Sequence, residues 1–284
     1  MAAARPPGVS QAGAVTAPEP GPHRSSVNRR ASVNRHASAR LAATDRPGPA
    51  RVRATTSAAD WPGGGTIVRT TGKVFFTMES QDYVCSAAVV TSANTDVVIT
   101  AAHCVQSGAG QWATNWTFVP AYANGGRPYG TWTASHYFVA RPWSKAGNED
   151  DDVAFVTLNP RRAHGRNAYI GQVVGGLNIA FGASPAQEYA FGYPAEPPYD
   201  GTSLYYCSGH TTADPYHASG DTGLHCDLTA GSSGGPWLSG FDPASGTGTI
   251  TSVSTFKYDT DQAILYGPRL GPVAKALFDR AEYS

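Results

Sequence analysis

The chain has 284 residues, of which 41% are hydrophobic and 15% charged, with 32 Gly, 21 Pro and 14 Tyr. That length holds one or two domains with a sizeable core, and low charge with many turn-forming residues favours an all-β globular protein over a helical one. Basic and acidic side chains balance at 21 each, and no apolar run approaches the ~18 residues of a transmembrane helix, so composition points to neither a nucleic-acid nor a membrane partner.

The balance is uneven along the chain. Residues 1–60 carry nine Arg against Glu19, Asp45 and Asp60, a net +6, which leaves 12 basic and 18 acidic side chains, a net −6, for residues 61–284. So sharp a split marks a boundary between two unlike parts. Residues 1–60 are rich in Ala, Pro, Arg and Ser without an amphipathic period, the composition of an unstructured leader or pro-segment. Within them residues 26–31 (SVNRRA) nearly repeat as 32–37 (SVNRHA), too few copies for a solenoid. The first residues, MAAARPPG, lack the apolar stretch of a secretory signal. Four cysteines nonetheless suggest two disulfides and an oxidising compartment, so we expect an extracellular protein, either exported by an unrecognised route or, the favoured reading, with its true leader missing from the start at Met1.

From Trp61 onward the pattern changes to short β-branched and aromatic runs separated by Gly, Asn, Ser and Asp, the mark of strands. The predicted strands are 66–68, 73–78, 83–90, 96–100, 116–120, 130–140, 153–158, 178–182, 188–192, 203–207 and 249–256. Strands at this spacing read as a sandwich or a pair of barrels. Only residues 272–282 look helical, with Val273, Ala276, Leu277 and Arg280 at helical spacing after Gly271 and Pro272. The sequon Asn115-Trp116-Thr117 is taken as chance.

The most informative stretch is Gly231-Ser232-Ser233-Gly234-Gly235-Pro236-Trp237. Glycines on both sides of a serine allow a tight turn that exposes one hydroxyl and aims neighbouring N–H groups at one point. A serine hydroxyl needs a base and a group to orient that base, and candidates for both lie upstream, in Thr100-Ala101-Ala102-His103-Cys104 and Asp152-Val153-Ala154-Phe155-Val156. The Gly-x-Ser-x-Gly pattern also fits the elbow of α/β-hydrolases, whose triad histidine follows the serine. No histidine follows Ser233 here; the last is His225. The order His, Asp, Ser is the order of the chymotrypsin type.

On these three segments, with Cys85 ahead of the histidine turn, the chain from about 62 to 284 resembles the chymotrypsin/trypsin superfamily of serine endopeptidases. The resemblance implies two antiparallel six-stranded Greek-key β-barrels, about 61–165 and 166–284, with a C-terminal helix. It implies His103 as general base, Asp152 as the carboxylate orienting it, Ser233 as nucleophile, and the backbone N–H groups of Gly231 and Ser233 as oxyanion hole. Glu149, Asp150 and Asp151 read as a solvated rim, without the ligand spacing of a calcium loop. Disulfides Cys85–Cys104 and Cys207–Cys226 follow from the same resemblance. A zinc site of Cys207, His210, His225 and Cys226 stays open as an alternative, although the spacing matches no recognised motif.

The chain also departs from animal trypsins. Ser232 stands where they carry the aspartate that captures a new N-terminal amine, so that charge-driven activation cannot run through this position. Together with Gly192-Tyr193-Pro194 this resembles the bacterial glutamyl-endopeptidase-like branch, in which a pro-segment masks activity by other means. Asp227, six residues before Ser233, has the offset of a trypsin pocket-floor aspartate, but Cys226 precedes it instead of following it. The histidine that glutamyl enzymes carry after the nucleophile is missing from Ile250–Lys257, where Lys257 could supply a positive charge. Thr255 reads as the pocket-wall hydroxyl that bonds the triad aspartate. The expected protein is a secreted, monomeric serine endopeptidase acting on peptide or protein substrates, with no metal, cofactor, nucleic-acid or membrane partner. A silent protease-fold binding protein and an esterase are the alternatives.

Overall fold

A computed structural model of the chain describes residues 9–10 and 55–284, apart from Ala109 and His164. The predicted leader therefore falls largely outside the described residues. Its last part does not: β1 (Thr55–Asp60) pairs antiparallel with the strand containing Tyr205, Tyr206 and Ser208.

Residues 66–68, predicted as a strand, are the start of a helix, α1 (Thr66–Thr70). Gly65 before it has φ +89°, and the buried pair Ile67 and Thr70 stands three residues apart. Three is helical spacing; a strand would send the two side chains to opposite faces.

Six strands then close a barrel. They are β2 (Thr71–Met78), β3 (Gln81–Val89), β4 (Val97–Thr100), β5 (Thr114–Pro120), β6 (Trp132–Val139) and β7 (Ala154–Leu158), in the order β2-β3-β4-β7-β6-β5. Every pair is antiparallel. Closure leaves no open edge and lets one core fill the inside: Val74, Phe76, Val98, Trp116, Phe118, Trp132, Trp143 and Val156 share it. Two short helices missed by the sequence reading follow, α2 (Arg141–Ala146) and α3 (Ile170–Val174).

The C-terminal half is one hydrogen-bonded path that includes β8 (Gln187–Gly192), β9 (Tyr205–Ala213), β10 (Thr222–His225), β11 (Pro236–Asp242), β12 (Thr247–Val253), β13 (Phe256–Tyr258) and β14 (Asp261–Gly267). Its order is β13-β14-β10-β9-β8-β11-β12, and Asn178–Ile179 joins the end in parallel to β12. The predicted strand 178–182 is thus only two residues long, whereas β10, β11 and β14 had no strand predicted over them.

The predicted terminal helix is present as α4 (Pro272–Glu282), but it buries Ala274, Leu277, Phe278 and Ala281, while Val273 is exposed. Phe278 meets Phe155 of β7 at 5.4 Å between ring centroids, and Arg280 lies over Phe138 of β6. The C-terminal helix therefore covers the barrel wall whose β7 follows Asp152. Phe278→Ala should cost about 3–5 kcal/mol of stability, read by denaturant unfolding; a loss under about 1 kcal/mol would mean the helix is not a structural cover.

Candidate active site

His103 stands in a single 3₁₀ turn, Ala102–Cys104, at the end of β4. The disulfide Cys85–Cys104 ties that turn to β3. Two buried indoles hold it from the barrel side, Trp116 Nε1 donating to the Cys104 carbonyl (3.0 Å) and Trp143 Nε1 to the Gln106 carbonyl (3.1 Å). Asp152, fully buried, follows the 3₁₀ turn Glu149–Asp151 and leads into β7. Its Oδ1 accepts the His103 backbone N–H (2.8 Å) and its Oδ2 meets His103 Nδ1 (2.7 Å). With Nδ1–H donating to a carboxylate, Nε2 is left as the acceptor nitrogen. That Nε2 is buried and bonds no described residue.

Asp150 and Asp151 face elsewhere: Asp150 Oδ1 accepts the Gly220 N–H (2.6 Å) and Asp151 Oδ2 the Asn148 amide (2.7 Å). Burial alone would push the His103 pKa down, but the charge and hydrogen bond of Asp152, helped by Glu149, outweigh it and leave it above the usual imidazole value. The imidazolium is thus the stabilised form, as a base that must carry a proton through a transition state requires.

Ser233, 5% exposed, lies in the turn between β10 and β11. Its carbonyl accepts the Ser86 N–H at 2.7 Å and lies 3.7 Å from Cys104 Sγ, next in sequence to His103. Gly234 (φ +79°) makes this approach possible, since a Cβ there would run into the Thr100 hydroxyl, the Ser86 carbonyl and the Ala101 nitrogen. At Gly231 (φ +95°) a Cβ would sit 2.7 Å from the Tyr193 carbonyl. Among the described residues neither the Gly231 nor the Ser233 backbone N–H donates a hydrogen bond. Ser232 turns away, its hydroxyl donating to the Thr229 carbonyl at 2.7 Å.

Ser86 was not singled out by sequence, yet it staples the two halves together. Besides its N–H bond to Ser233, its hydroxyl donates to the Gly231 carbonyl (2.9 Å) and accepts the Tyr193 N–H (2.9 Å), and its carbonyl accepts the Thr100 hydroxyl (2.8 Å). Ser86→Ala orphans a buried carbonyl and a buried N–H at once. We expect it to cost about 2–4 kcal/mol and to slow any chemistry at Ser233; unchanged melting and rate would refute the staple.

The residues expected at the pocket floor and wall, Asp227 and Thr255, are both hydrogen-bonded within the protein. Asp227 Oδ1 is already bonded, by the Ala58 N–H of β1 (2.6 Å) and the Tyr199 hydroxyl (2.9 Å). The Thr255 hydroxyl donates to the Tyr266 carbonyl (3.0 Å), and among the described residues the hydrogen bonds on the Asp152 carboxylate come from His103. Lys257 is buried, giving its ammonium to the Cys226 and Gln262 carbonyls at 2.9 and 2.7 Å. Burial pulls its pKa down to about 8 against the opposing charges of Asp227 and Asp261. The zinc alternative fails, because Cys207 and Cys226 are joined to each other while His210 and His225 are exposed. His103 itself lines a cleft of about 150 Å³ with Phe76, Met78, Tyr83, Val84 and Cys85 and the polar Glu79 and Ser107.

A closed antiparallel barrel that ends in an aspartate-held histidine, stapled to a second β-half through a Gly-Ser-Ser-Gly-Gly turn, is the architecture of a chymotrypsin-like protease, and the solved structures it resembles agree. Protease Anisep from Arthrobacter nicotinovorans is 40% identical with a TM-score of 0.72, covering 78% of this chain and 99% of that one. The thermostable serine protease AL20, from an extremophilic microorganism, is 36% identical with a TM-score of 0.71, over 77% and 99%. A Glu endopeptidase shares the fold at 16% identity and a TM-score of 0.62, over 80% and 97%. Over 80 residues the chain is also 30% identical to an extracellular metalloprotease of Bacillus subtilis, a match that spans 28% of this chain and 25% of that protein. No family model matches. The chain belongs to the chymotrypsin/trypsin-like serine proteases and is a serine-type endopeptidase.

Proposed function

We propose that this endopeptidase is secreted and cleaves peptide bonds through an acyl-enzyme on Ser233. His103 takes the hydroxyl proton as Ser233 attacks and returns it to the leaving amine, while Asp152 holds the imidazole and stabilises its cation. The N–H groups of Gly231 and Ser233 receive the charge that develops on the carbonyl oxygen. The observation that carries this reading is the Asp152–His103 couple: both N–H groups on the Asp152 side are satisfied, while Nε2 has no partner among the described residues.

Labelling with a fluorophosphonate probe tests it. Modification of Ser233, lost in His103→Ala, is expected; absence of label from processed, folded protein would favour a silent binding protein. That rival has a fold precedent, since an inactivated protease paralogue from the scabies mite shares the fold at 16% identity and a TM-score of 0.53. The intact His103, Asp152 and Ser233 argue against it here. An esterase would label too, so cleavage of a mixed peptide pool is the second arm.

For the residue preferred at the cleaved bond, the two donors on Asp227 weigh against a pocket for Arg or Lys. Asp227→Asn is expected to loosen β1 and lower stability without shifting the preference measured in the peptide pool; loss of a basic preference would restore the pocket-floor role. The extracellular location rests on two disulfides and on the extracellular Bacillus relative. The metal in that relative's name is not carried over. Among the described residues the trio of close His, Cys and acidic groups is Cys85, His103 and Cys104, and its two sulfurs are bonded to each other. We further propose that the basic residues ahead of the domain are removed on maturation and that the enzyme works as a monomer without cofactor.

A further inference from the structure

The loop between β9 and β10 meets the Glu149–Asp152 segment, where the Gly220 N–H donates to Asp150 Oδ1 at 2.6 Å. Two acids of that loop are equally buried, at 2% exposure, but differ sharply in their partners. The Asp214 carboxylate accepts hydrogen bonds from the Tyr258 hydroxyl, the Tyr216, Ala218 and Ser219 N–H groups and the Ser219 hydroxyl, between 2.7 and 3.1 Å. It is built to be charged. Among the described residues Asp221 has no such set, and its Oδ2 is buried without a partner. The Gly220 N–H, next to it, is bonded to Asp150, which fixes Asp221 against the acidic turn.

Adjacent buried carboxyls cannot all ionise cheaply, and the one with donors keeps the charge. Asp152 has two donors from His103. We propose that Asp221 is a positioning residue of the triad: a buried carboxyl held against the Glu149–Asp152 segment, through which it keeps Asp152 in place to hold His103. The groups facing it are Asp150, Asp152 and Glu149 from that segment and Asp214 from its own loop, with Tyr258 of β13 on Asp214. Arg269, beyond β14, bonds the neighbouring Thr222 hydroxyl at 3.3 Å. Burial first, then the charges of Asp150, Asp152, Glu149 and Asp214, push the Asp221 pKa up to about 9. Above that pH a second negative charge appears beside Asp152, and His103 is handed an environment that favours its cation.

The proposal rests on the triad reading, so its test has one arm that needs no turnover. The His103 ring is followed by ¹⁵N NMR against pH in the wild-type protein and in Asp221→Asn, alongside kcat and KM for both and for Asp221→Ala. In the wild type the His103 signal should step between about pH 8 and 10, and the step should vanish in Asp221→Asn. Asp221→Ala should lower kcat about tenfold with KM little changed, and Asn should recover more than half of that loss. Superposable His103 titrations in wild type and Asp221→Asn would overturn the proposal, whether or not the Ala variant folds. A step without any peptide cleavage would leave it standing and sink the catalytic reading instead.

Discussion

Ser233→Ala is expected to lower peptide turnover about a million-fold, the loss typical of removing the nucleophile from a group that acts as a unit. The melting temperature should stay close to that of the parent, because the protein holds this turn through backbone groups: the Ser233 carbonyl on Ser86, and the Gly234 N–H on the Ser254 carbonyl. Asp152→Asn probes the same unit from its other end. An amide NH₂ facing His103 Nδ1 would turn the ring into the wrong tautomer, with the proton on Nε2, so a loss of about ten-thousand-fold is expected with the fold intact. Activity surviving either change would mean that the hydrolysis runs elsewhere.

The raised His103 pKa sets the acid limb. Below it the imidazolium has no lone pair for the Ser233 proton, so kcat/KM should fall as pH drops through that value and be flat above it until Asp221 begins to ionise.

Asp221→Asn is expected to stabilise the protein at neutral and alkaline pH. The acid is held at about 9 in the fold against 3.8 as its ordinary value, so the unfolded chain releases its proton far earlier than the folded one. Unfolding therefore becomes easier as pH rises from about 4 towards 9, and no further penalty accrues above that. Below about pH 4 both states hold the proton and the cost disappears. Asparagine has no proton to lose, so the variant should melt higher by about 5 °C or more at pH 7.5, with the gap closing near pH 4. Calorimetry at pH 4, 7.5 and 9 reads this directly. A gap of the same size at every pH would show that Asp221 is no buried acid. So costly a group, within reach of the Asp152 charge, fits a role at the site, since strongly perturbed acids gather at functional sites.

The catalytic candidates were legible because their signals are local. A histidine three residues after the strand-ending Thr100 and one before a cysteine, or a serine between glycines with φ +95° and +79° at 231 and 234, announces itself in five or six residues. The terminal helix was legible too, from Gly271 and Pro272, although its buried face is Ala274, Leu277, Phe278 and Ala281 and excludes Val273. Residues 66–68 misled because β-branched Thr, Ile and Val favour a strand locally, while burial of Ile67 and Thr70 on one side decided for a helix.

By itself the sequence determined an all-β chain with the order His, Asp, Ser, because alternating burial and turn chemistry are properties of neighbouring residues. Only the tertiary structure decided which groups meet across the fold. Ser86 reaches Gly231 across 145 positions and Ala58 reaches Asp227 across 169. No local pattern encodes such pairs; burial first strips water from each polar group, and it then bonds whichever partner the packed chain brings within reach. That is why Asp227 became a clasp for β1, and why Asp221 Oδ2 was left without a partner among the described residues.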